Sequence, residues 1–424
     1  MSSTQLSPAE RLALLSLAFA YALRMLGLYL VLPVLSPYVA GMPHGASIWV
    51  GMAVGAYGLA QAIFQVPFGW LSDHYGRRQA ILAGTGLFIL GCILGAVART
   101  APLIVLARFL QGMGAIASVV VAMVADLARP AVRQRAMSTL GVVIGLSFAV
   151  GLMGGPVLAA HLGVPALFQI GAGLGVVSAL GILFFVPEPA RESSARPTLR
   201  QSLATLRDPR LLKVNVAMLA LHLALTGLFV ILPLRVDELL PRADAWKVYA
   251  PAIGAGLVAL LLTAELVDRR HLDRQALGVG AVLLVAGSLL LKVGFATLPG
   301  ITLGALVYVL GFAIIEPILP ALVTHYSAPE VRGMAAGAFS MSQFGGAALG
   351  GLGGAWFVAR RPDDLFLLMA ALGGLILVMA WRLPDPRAGQ PTARSGRGLD
   401  SVVDPAGPRE PMPRPGGERG GRGR

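Results

Sequence analysis

Apolar stretches of about 20 residues recur along the chain, separated by short polar segments. A helix of that length crosses the roughly 30 Å of hydrocarbon in a bilayer. Because lipid offers no partner to backbone N–H and C=O groups, a spanning stretch must satisfy them internally, as a helix does. The pattern predicts an all-α membrane protein with twelve transmembrane helices, which we call segments 1 to 12: 11–34, 48–71, 79–98, 102–125, 137–160, 165–186, 212–234, 248–267, 276–297, 300–323, 334–358 and 365–383.

The composition excludes an ordinary soluble protein. Hydrophobic residues make up 56% of the chain and charged residues 13%, and the mean hydropathy is +0.74, whereas about a quarter of the residues in soluble domains are charged. The first apolar stretch is too long for a signal peptide, so we interpret it as a retained helix. The single Cys92 excludes a disulfide framework and a thiolate metal cluster.

The basic residues of the loops predict the orientation. One set of alternating loops carries sixteen Arg and Lys residues before the tail, and the opposite set carries seven. Basic loops stay in the cytoplasm, so both termini are expected to be cytoplasmic in a bacterial inner membrane. Anionic lipid accounts for the net charge of +13 without any nucleic acid partner.

One long polar break divides the twelve segments into six and six. It begins at Pro187-Glu188-Pro189 and is rich in Arg and Ser, and a Pro-, Gly- and Arg-rich tail follows segment 12. Such a tail cannot bury a core, so it is expected to be disordered. The predicted organisation is a cytoplasmic N-terminus, a first six-helix half, a linker, a second six-helix half and a cytoplasmic tail: 1–10, 11–186, 187–211, 212–383 and 384–424.

The two halves also repeat one another at an offset of 199 residues. Val132-Arg133 recurs as Val331-Arg332, each pair following a nearby proline in the same kind of loop. The same offset places three glycines of segment 5 on three glycines of segment 11, namely Gly151, Gly154 and Gly155 on Gly350, Gly353 and Gly354. The pattern predicts two pseudo-symmetric halves.

The loop between segments 2 and 3 reads Gly69-Trp70-Leu71-Ser72-Asp73-His74-Tyr75-Gly76-Arg77-Arg78. An acid and an Arg pair at fixed distances from two glycines exceed what a simple turn requires. The stretch resembles the G-x-x-x-D-x-x-G-R-[RK] motif of the major facilitator superfamily. The resemblance implies the major facilitator fold, with a substrate site between two six-helix halves near the middle of the membrane.

In that family the loop motif latches the two halves together. The resemblance implies that Gly69 permits close approach of another helix, and that Asp73 faces the start of segment 11 near Gly333 and Met334. It also implies that Arg77 pairs with Asp126 at the end of segment 4. The alternative is a basic cytoplasmic loop without further function.

Segment 4 contains Arg108-Phe109-Leu110-Gln111-Gly112-Met113-Gly114-Ala115, which is similar to the family pattern R-x-x-Q-G-x-G-A. The similarity implies that Arg108 lies in the cavity and influences proton transfer, with Gln111 beside it. A charge inside a membrane span is costly unless it is paired or hydrated. The alternative is that Arg108 extends to the outer surface.

Segment 5 retains part of the glycine motif of antiporters, in Gly151, Gly155 and Pro156. Ala159 and Ala160 stand where the family has its final glycine pair. This motif is associated with export in the family. The prediction that this protein exports its substrate therefore depends on an incomplete motif.

Several polar residues inside the apolar segments predict a substrate cavity. Arg24 lies near the middle of segment 1, as an anion contact or as a partner of an acid. Tyr57, Gln61 and Gln65 are four residues apart and share one face of segment 2, either as a polar cavity wall or as interhelical hydrogen-bonding groups. His222 in segment 7 titrates near neutral pH when exposed, although an isolated His among apolar residues is commonly a core residue.

Glu316 in segment 10 is the acid we predict to couple transport to protons. It precedes Pro317, which frees a backbone carbonyl and permits a bend. A carboxyl group in such a place can gain a proton when dehydrated and release it when hydrated. The alternative is a permanent ion pair with Arg24 or another cavity base.

The first segment, with Leu23-Arg24-Met25-Leu26-Gly27, resembles the YajR-like subgroup of drug/proton antiporters over about residues 11–383. The best-known member has a folded domain after its last helix, where this chain has only the tail 384–424. The predicted function is proton-driven export of small amphipathic molecules by a monomer with no cofactor, in contact with the lipid bilayer. The alternatives are proton-coupled uptake and a transporter-like receptor without flux. No nucleotide-binding loop or catalytic triad is apparent, so an enzyme is not expected.

Overall fold

The computed structural model describes residues 8–43, 45–189, 205, 207–270, 273–328 and 331–384. Residues 385–424 of the predicted tail, residues 190–204 and 206 of the linker, and residues 1–7 of the N-terminus lie outside the described residues. The described chain forms one compact unit that is nearly all helix.

Fourteen α-helices make up the described chain, seven in each half. The first half contains α1 (Pro8–Ala40), α2 (Ser47–Tyr75), α3 (Arg77–Val97), α4 (Ala101–Met113), α5 (Ala117–Leu127), α6 (Pro130–Leu162) and α7 (Val164–Phe185). The second contains α8 (Pro209–Leu239), α9 (Trp246–Arg270), α10 (Asp273–Gly294), α11 (Leu298–Ile315), α12 (Ile318–Tyr326), α13 (Arg332–Arg360) and α14 (Asp364–Arg382).

These helices confirm the predicted fold class, with one correction to the segments. Segment 4 was predicted as one helix and is instead two, α4 and α5, because Gly114, Ala115 and Ile116 leave the helical conformation. Segment 10 is interrupted at Glu316-Pro317, between α11 and α12, where proline permits the bend. Eleven described helical segments are long and apolar enough to cross a membrane. The segment outside that count is α13, whose 29 residues are rich in glycine.

Burial separates the interior of the bundle from its periphery. Phe88, Phe168 and Tyr308 are fully buried, whereas Phe184 and Val293 have exposed fractions of 72% and 87%. Large apolar side chains on the outside of a soluble protein are unfavourable, but here they face the region where lipid would lie. This distribution fits a bundle that spans a membrane.

The two halves meet at one end of the bundle. We call the end where α1 begins and α14 finishes the terminal end, and the other the far end. Gly51, Gly55 and Gly58 of α2, in its far half, lie so close to α13 that a Cβ atom on any of them would overlap with α13. The contacted part of α13 includes Ala348 and Gly351. Small residues allow this close approach of two helices.

At the terminal end, the same two helices are apart. A Cβ atom added at Gly69 of α2, or at Gly333 of α13, would have no described atom of another helix within 4 Å. A second contact at the far side joins the halves, where Ser36 Oγ of α1 donates to Phe229 O of α8 at 3.0 Å. In this conformation the halves are therefore closed at the far end and separated along α2 and α13 at the terminal end.

Candidate functional site

Arg77 joins three elements of the first half at the terminal end. Its Nε atom donates to Asp126 Oδ2 of α5 at 3.0 Å, and its Nη1 atom donates to Asp73 Oδ1 of α2 at 2.7 Å. The same Nη1 atom donates to Ser72 Oγ at 2.8 Å. The predicted Arg77–Asp126 pair is therefore present. Arg77 also bonds Asp73, a pairing that the sequence analysis did not predict. We call Asp73, Arg77 and Asp126 the loop cluster.

Glu188 is a member of this site that the sequence analysis missed. Its carboxylate accepts from the backbone N–H of Arg77 at 2.6 Å and of Arg78 at 2.9 Å, which are the first two residues of α3. A carboxylate at a helix N-terminus satisfies unpaired N–H groups and opposes the positive end of the helix dipole. Gly76 has a φ of 113°, and a Cβ atom there would lie 2.6 Å from Glu188 Oε1. The glycine of the motif thus makes room for Glu188.

Replacing Glu188 by Ala is expected to lower the thermal unfolding midpoint of the purified protein, because two N–H groups lose their acceptor. The loss of an N-terminal cap costs about 1 kcal/mol. Glu188→Gln keeps an acceptor oxygen and should recover part of the loss. Glu238→Ala is the matched control, since Glu238 is an exposed acid that bonds Arg235 at the far end. An equal fall in both alanine variants would contradict a special role for Glu188.

The predicted contact between the loop cluster and α13 is not made in this conformation. Asp73 bonds Arg77, and its side chain is 57% exposed. Among the described residues, neither Gly69 nor Gly333 has a close neighbour from another helix. The cause is the closure at the far end, which leaves α2 and α13 apart at the terminal end. The close helix approach expected at Gly69 occurs instead at Gly51, Gly55 and Gly58.

Arg108 begins a chain of polar contacts within the first half. Its Nη1 atom donates to Gln111 Oε1 at 2.8 Å, and Gln111 Nε2 donates to Cys92 Sγ of α3 at 3.1 Å. The guanidinium carbon lies 5.1 Å from the centre of the Tyr57 ring. Arg108 is 2% exposed, so it packs against α2 in the interior and does not extend to the outer surface.

The polar face predicted on α2 points toward the interior of the first half, where Arg108 packs against Tyr57. Gln61 Nε2 donates to the Tyr57 hydroxyl at 2.8 Å, which is a bond within α2 and not between helices. Gln61 and Gln65 are both buried, and neither polar atom of Gln65 has a hydrogen-bond partner among the described residues. A buried amide without partners is costly, so Gln65 lowers the stability of this conformation.

Arg24 lies in a place that the sequence did not predict. Its Nη2 atom donates to Gly114 O at 2.7 Å, a carbonyl at the break between α4 and α5, and its guanidinium carbon is 5.1 Å from the Phe88 ring centre. The side chain is 1% exposed. Arg24 thus supports the broken helix within the first half, and its described contacts do not include the predicted alternative partner Glu316.

Three side chains from three helical segments meet in the second half. Gln343 Nε2 of α13 lies 3.0 Å from His222 Nε2 of α8 and 3.4 Å from Glu316 Oε1, and the last two atoms are 3.9 Å apart. The Glu316 side chain is 30% exposed, and that of His222 is 13% exposed. We call Glu316, His222 and Gln343 the acid cluster.

The Gln343 amide lies between the two titratable groups of the acid cluster. In this orientation the amide nitrogen of Gln343 faces both His222 Nε2 and Glu316 Oε1, and an amide N–H group can only donate. A proton added to His222 Nε2 would require the Gln343 amide to turn its oxygen toward the ring. The orientation of this amide therefore depends on where the proton lies. The sequence analysis missed Gln343, because one amide beside two serines in a glycine-rich helix forms no recognisable pattern.

The segment 5 glycines pack α6 against α1, as their size permits. A Cβ atom on Gly151 would lie 2.6 Å from Tyr29 Cβ, and Gly155 is against the Leu30 carbonyl. Pro156 follows inside the same helix. Gly350 and Gly354, at the predicted offset of 199 residues, pack α13 against α8 in the same way.

Comparison with known proteins agrees with this architecture. Residues 17–351 and 242–413 match the family model described as Major Facilitator Superfamily. The Inner membrane transport protein YajR of Escherichia coli (strain K12) is 34% identical over 393 residues, covering 91% of this chain and 86% of that protein. The Multidrug resistance protein MdtH of Aeromonas hydrophila is 28% identical over 350 residues, covering 82% of this chain and 86% of that protein.

Solved structures show the same fold at low sequence identity. The nucleoside transporter NupG is 16% identical with a TM-score of 0.66, covering 88% of this chain and 98% of that one. The human organic anion transporter MFSD10 is 22% identical with a TM-score of 0.67, covering 89% and 100%. Together with the family model and the YajR relative, the twelve helical segments show that this chain belongs to the Major Facilitator Superfamily of transporters.

Proposed function

We propose that this protein is a proton-coupled antiporter that exports small amphipathic molecules. The observation that carries the proposal is the acid cluster, where Glu316 lies at a helix break beside His222 and Gln343. The other acids whose side chains are described lie near helix ends or in the segments between helices. An ionisable group inside a membrane span commonly marks an ion pathway. Glu316 takes up and releases the proton. The proton gradient supplies the energy for transport, so the proposed mechanism requires no cofactor.

Transport proceeds by alternating access between the conformation described here and one closed at the terminal end. In the second conformation the loop cluster meets the start of α13, and α2 and α13 part at the far end. Arg77 supports this proposal because it already holds Asp73 and Asp126 together in the first half. Arg78 contributes the backbone N–H that Glu188 accepts.

The substrate class is proposed from the relatives. Proteins named for multidrug resistance are similar over most of this chain, and such cargo is small and amphipathic. Arg108, Tyr57, Gln61, Gln65 and Gln111 are proposed to form one wall of the site when the halves separate. Arg24 donates a hydrogen bond to Gly114 O at the break between α4 and α5, and we propose that it thereby positions the residues of this wall.

The proposed setting is the bacterial inner membrane, with both termini in the cytoplasm and the protein acting as a monomer. The excess of basic loops at the terminal end supports this orientation. Uptake with protons is the second candidate, because Ala159 and Ala160 interrupt the glycine motif of exporters.

Inside-out vesicles with an acidic lumen would distinguish these functions. For an exporter, we expect fluorescent amphipathic dyes to accumulate in the lumen, and a protonophore to abolish the accumulation. A proton-coupled uptake carrier would instead drive a preloaded substrate out of the acidic lumen. A receptor would move none of the panel in either direction. Vesicles without the protein give the background, and accumulation equal to that background would contradict the proposal.

A further inference from the structure

Four cationic side chains gather where the last helix ends, at the terminal end of the second half. Lys213 Nζ of α8 donates to Arg382 O at 3.1 Å, and Arg274 Nη2 of α10 donates to Trp381 O at 2.7 Å. Arg210 lies one turn before Lys213 on α8. We call Arg210, Lys213, Arg274 and Arg382 the basic collar.

The contacts of the basic collar fix its geometry and leave donors free. Cations are stabilised at a helix C-terminus, where backbone carbonyls have no partner within the helix. Lys213 and Arg274 satisfy two such carbonyls of α14, and Tyr326 donates its hydroxyl to Pro384 O at 2.7 Å. An ammonium group has three donors and a guanidinium group has five, so most donors of Lys213 and Arg274 point to no described acceptor.

Carboxylates balance only part of this charge. Asp208 accepts from Arg210 Nη2 at 2.8 Å, and this hydrogen bond lowers the pKa of Asp208 below its ordinary value, so Asp208 is ionised and committed to Arg210. Asp273, beside Arg274, is buried and has a partner of its own. Lys213 and Arg382 have no described carboxylate partner.

The corresponding end of the first half is arranged differently. There Arg77 bonds both Asp73 and Asp126, and Arg129 bonds Glu10 at 2.7 Å. The halves therefore differ at the terminal end in one respect: Arg77 and Arg129 hold acids of their own half, whereas Lys213 and Arg382 have no described carboxylate partner.

Apolar side chains place the basic collar at the level of lipid headgroups. Trp381 is 71% exposed, Leu212 53% and Val378 50%, and they lie beside the collar on α14 and α8. Tryptophan prefers the boundary between headgroups and hydrocarbon. A phosphate bound by the collar would have its acyl chains along these apolar side chains.

From this arrangement, we propose that the basic collar binds the headgroup of an anionic phospholipid in the leaflet at the terminal end. The free donors of Lys213, Arg274 and Arg382 supply charge-assisted hydrogen bonds to the phosphate. The exposed indole of Trp381 lies against the glycerol and upper acyl region. This lipid would fasten α8, α10 and α14 to one another while the halves move.

Titration of the purified full chain in detergent with brominated phosphatidylglycerol would test the site, because bromine quenches nearby tryptophan. The signal lost in Trp381→Phe is the part that reports the collar. Removing two cations with R274Q and R382Q together is expected to weaken binding by about thirtyfold. R382Q alone should weaken binding by about fivefold; the Arg382 side chain has no described hydrogen bond, so this variant keeps the fold intact. R382K should restore binding.

The matched control removes the same charge at the far end, with R99Q and R361Q together. Equal weakening in this control would overturn the collar as the site, as would equal quenching by brominated phosphatidylcholine. Displacement of the lipid by inorganic phosphate at the same concentration would identify a free phosphate site and overturn the lipid assignment. Retention of wild-type affinity in the collar variants would overturn the proposal outright.

Discussion

Replacing Glu316 by Gln is expected to abolish proton-driven accumulation of substrate while leaving exchange of substrate across the membrane without a proton gradient. The amide has nearly the shape of the carboxyl group and can still bond to Gln343, which lies 3.4 Å from Glu316 Oε1. It cannot take up or release a proton. The coupling step is lost and the movement of the halves is retained.

The measurement is dye accumulation in inside-out vesicles, compared with exchange of labelled dye at equal pH. Glu238→Gln is the matched control, because Glu238 is an exposed acid near the far end of α8, and it should behave as wild type. Gln343→Leu should slow coupled transport partly, since it removes the amide between His222 and Glu316. Ser342→Ala, which loses only a bond within α13, should have no such effect. Undiminished coupled transport in Glu316→Gln would exclude Glu316 as the coupling acid.

Replacing Gly55 by Trp is expected to force the protein out of the conformation closed at the far end. A Cβ atom at Gly55 would lie 2.9 Å from Ala348 O of α13, and backbone at that place cannot move aside without separating the helices. Overpacking costs about 3 kcal/mol at such sites, which shifts a two-state equilibrium by roughly a hundredfold. The halves should then close at the terminal end.

Spin labels at Gln79 and Gln275 would measure this change by pulsed electron resonance. Both residues are exposed at the terminal end, one in each half, and the single native Cys92 is buried. The distance distribution should move to shorter values in Gly55→Trp. Gly86→Trp is the control, because a Cβ atom at Gly86 has no described atom of another helix within 4 Å. Its distance distribution should match wild type. A wild-type distribution in Gly55→Trp would contradict alternating access through the α2–α13 contact.

Local patterns predicted the features that depend on local physics. The membrane spans followed from apolar length, because every backbone polar group in lipid must be satisfied within its own helix. The repeat of 199 residues aligned Gly151 with Gly350, and in the structure each packs against the first helix of its own half. The Arg77–Asp126 pair was predicted from the resemblance to the family's loop motif, in which the charged residues stand at fixed positions.

Contacts between distant parts of the chain were beyond the sequence. Glu188 bonds the N–H group of Arg77 at the start of α3, although the two residues are 111 positions apart in the sequence. No sequence repeat or helical periodicity connects positions so far apart. The break between α4 and α5 was missed because Gly114, Ala115 and Ile116 continue the apolar run of segment 4. The Gly114 carbonyl at this break accepts a hydrogen bond from Arg24 of another helix. Gln343 contacts His222 only because α13 packs against α8 in the folded protein.

Hydropathy and fixed motifs were enough to identify this chain as a twelve-helix membrane transporter of the Major Facilitator type, since both are properties of neighbouring residues. Which polar groups meet depended on the packing of the helices: Arg24 with the helix break, Glu316 with His222 and Gln343, and the basic collar around the end of α14. A polar side chain in an apolar interior bonds whatever partner the packing brings within 3 to 4 Å, roughly the reach of a hydrogen bond. Packing likewise brought the halves together through small residues at the far end and left the loop cluster apart from α13.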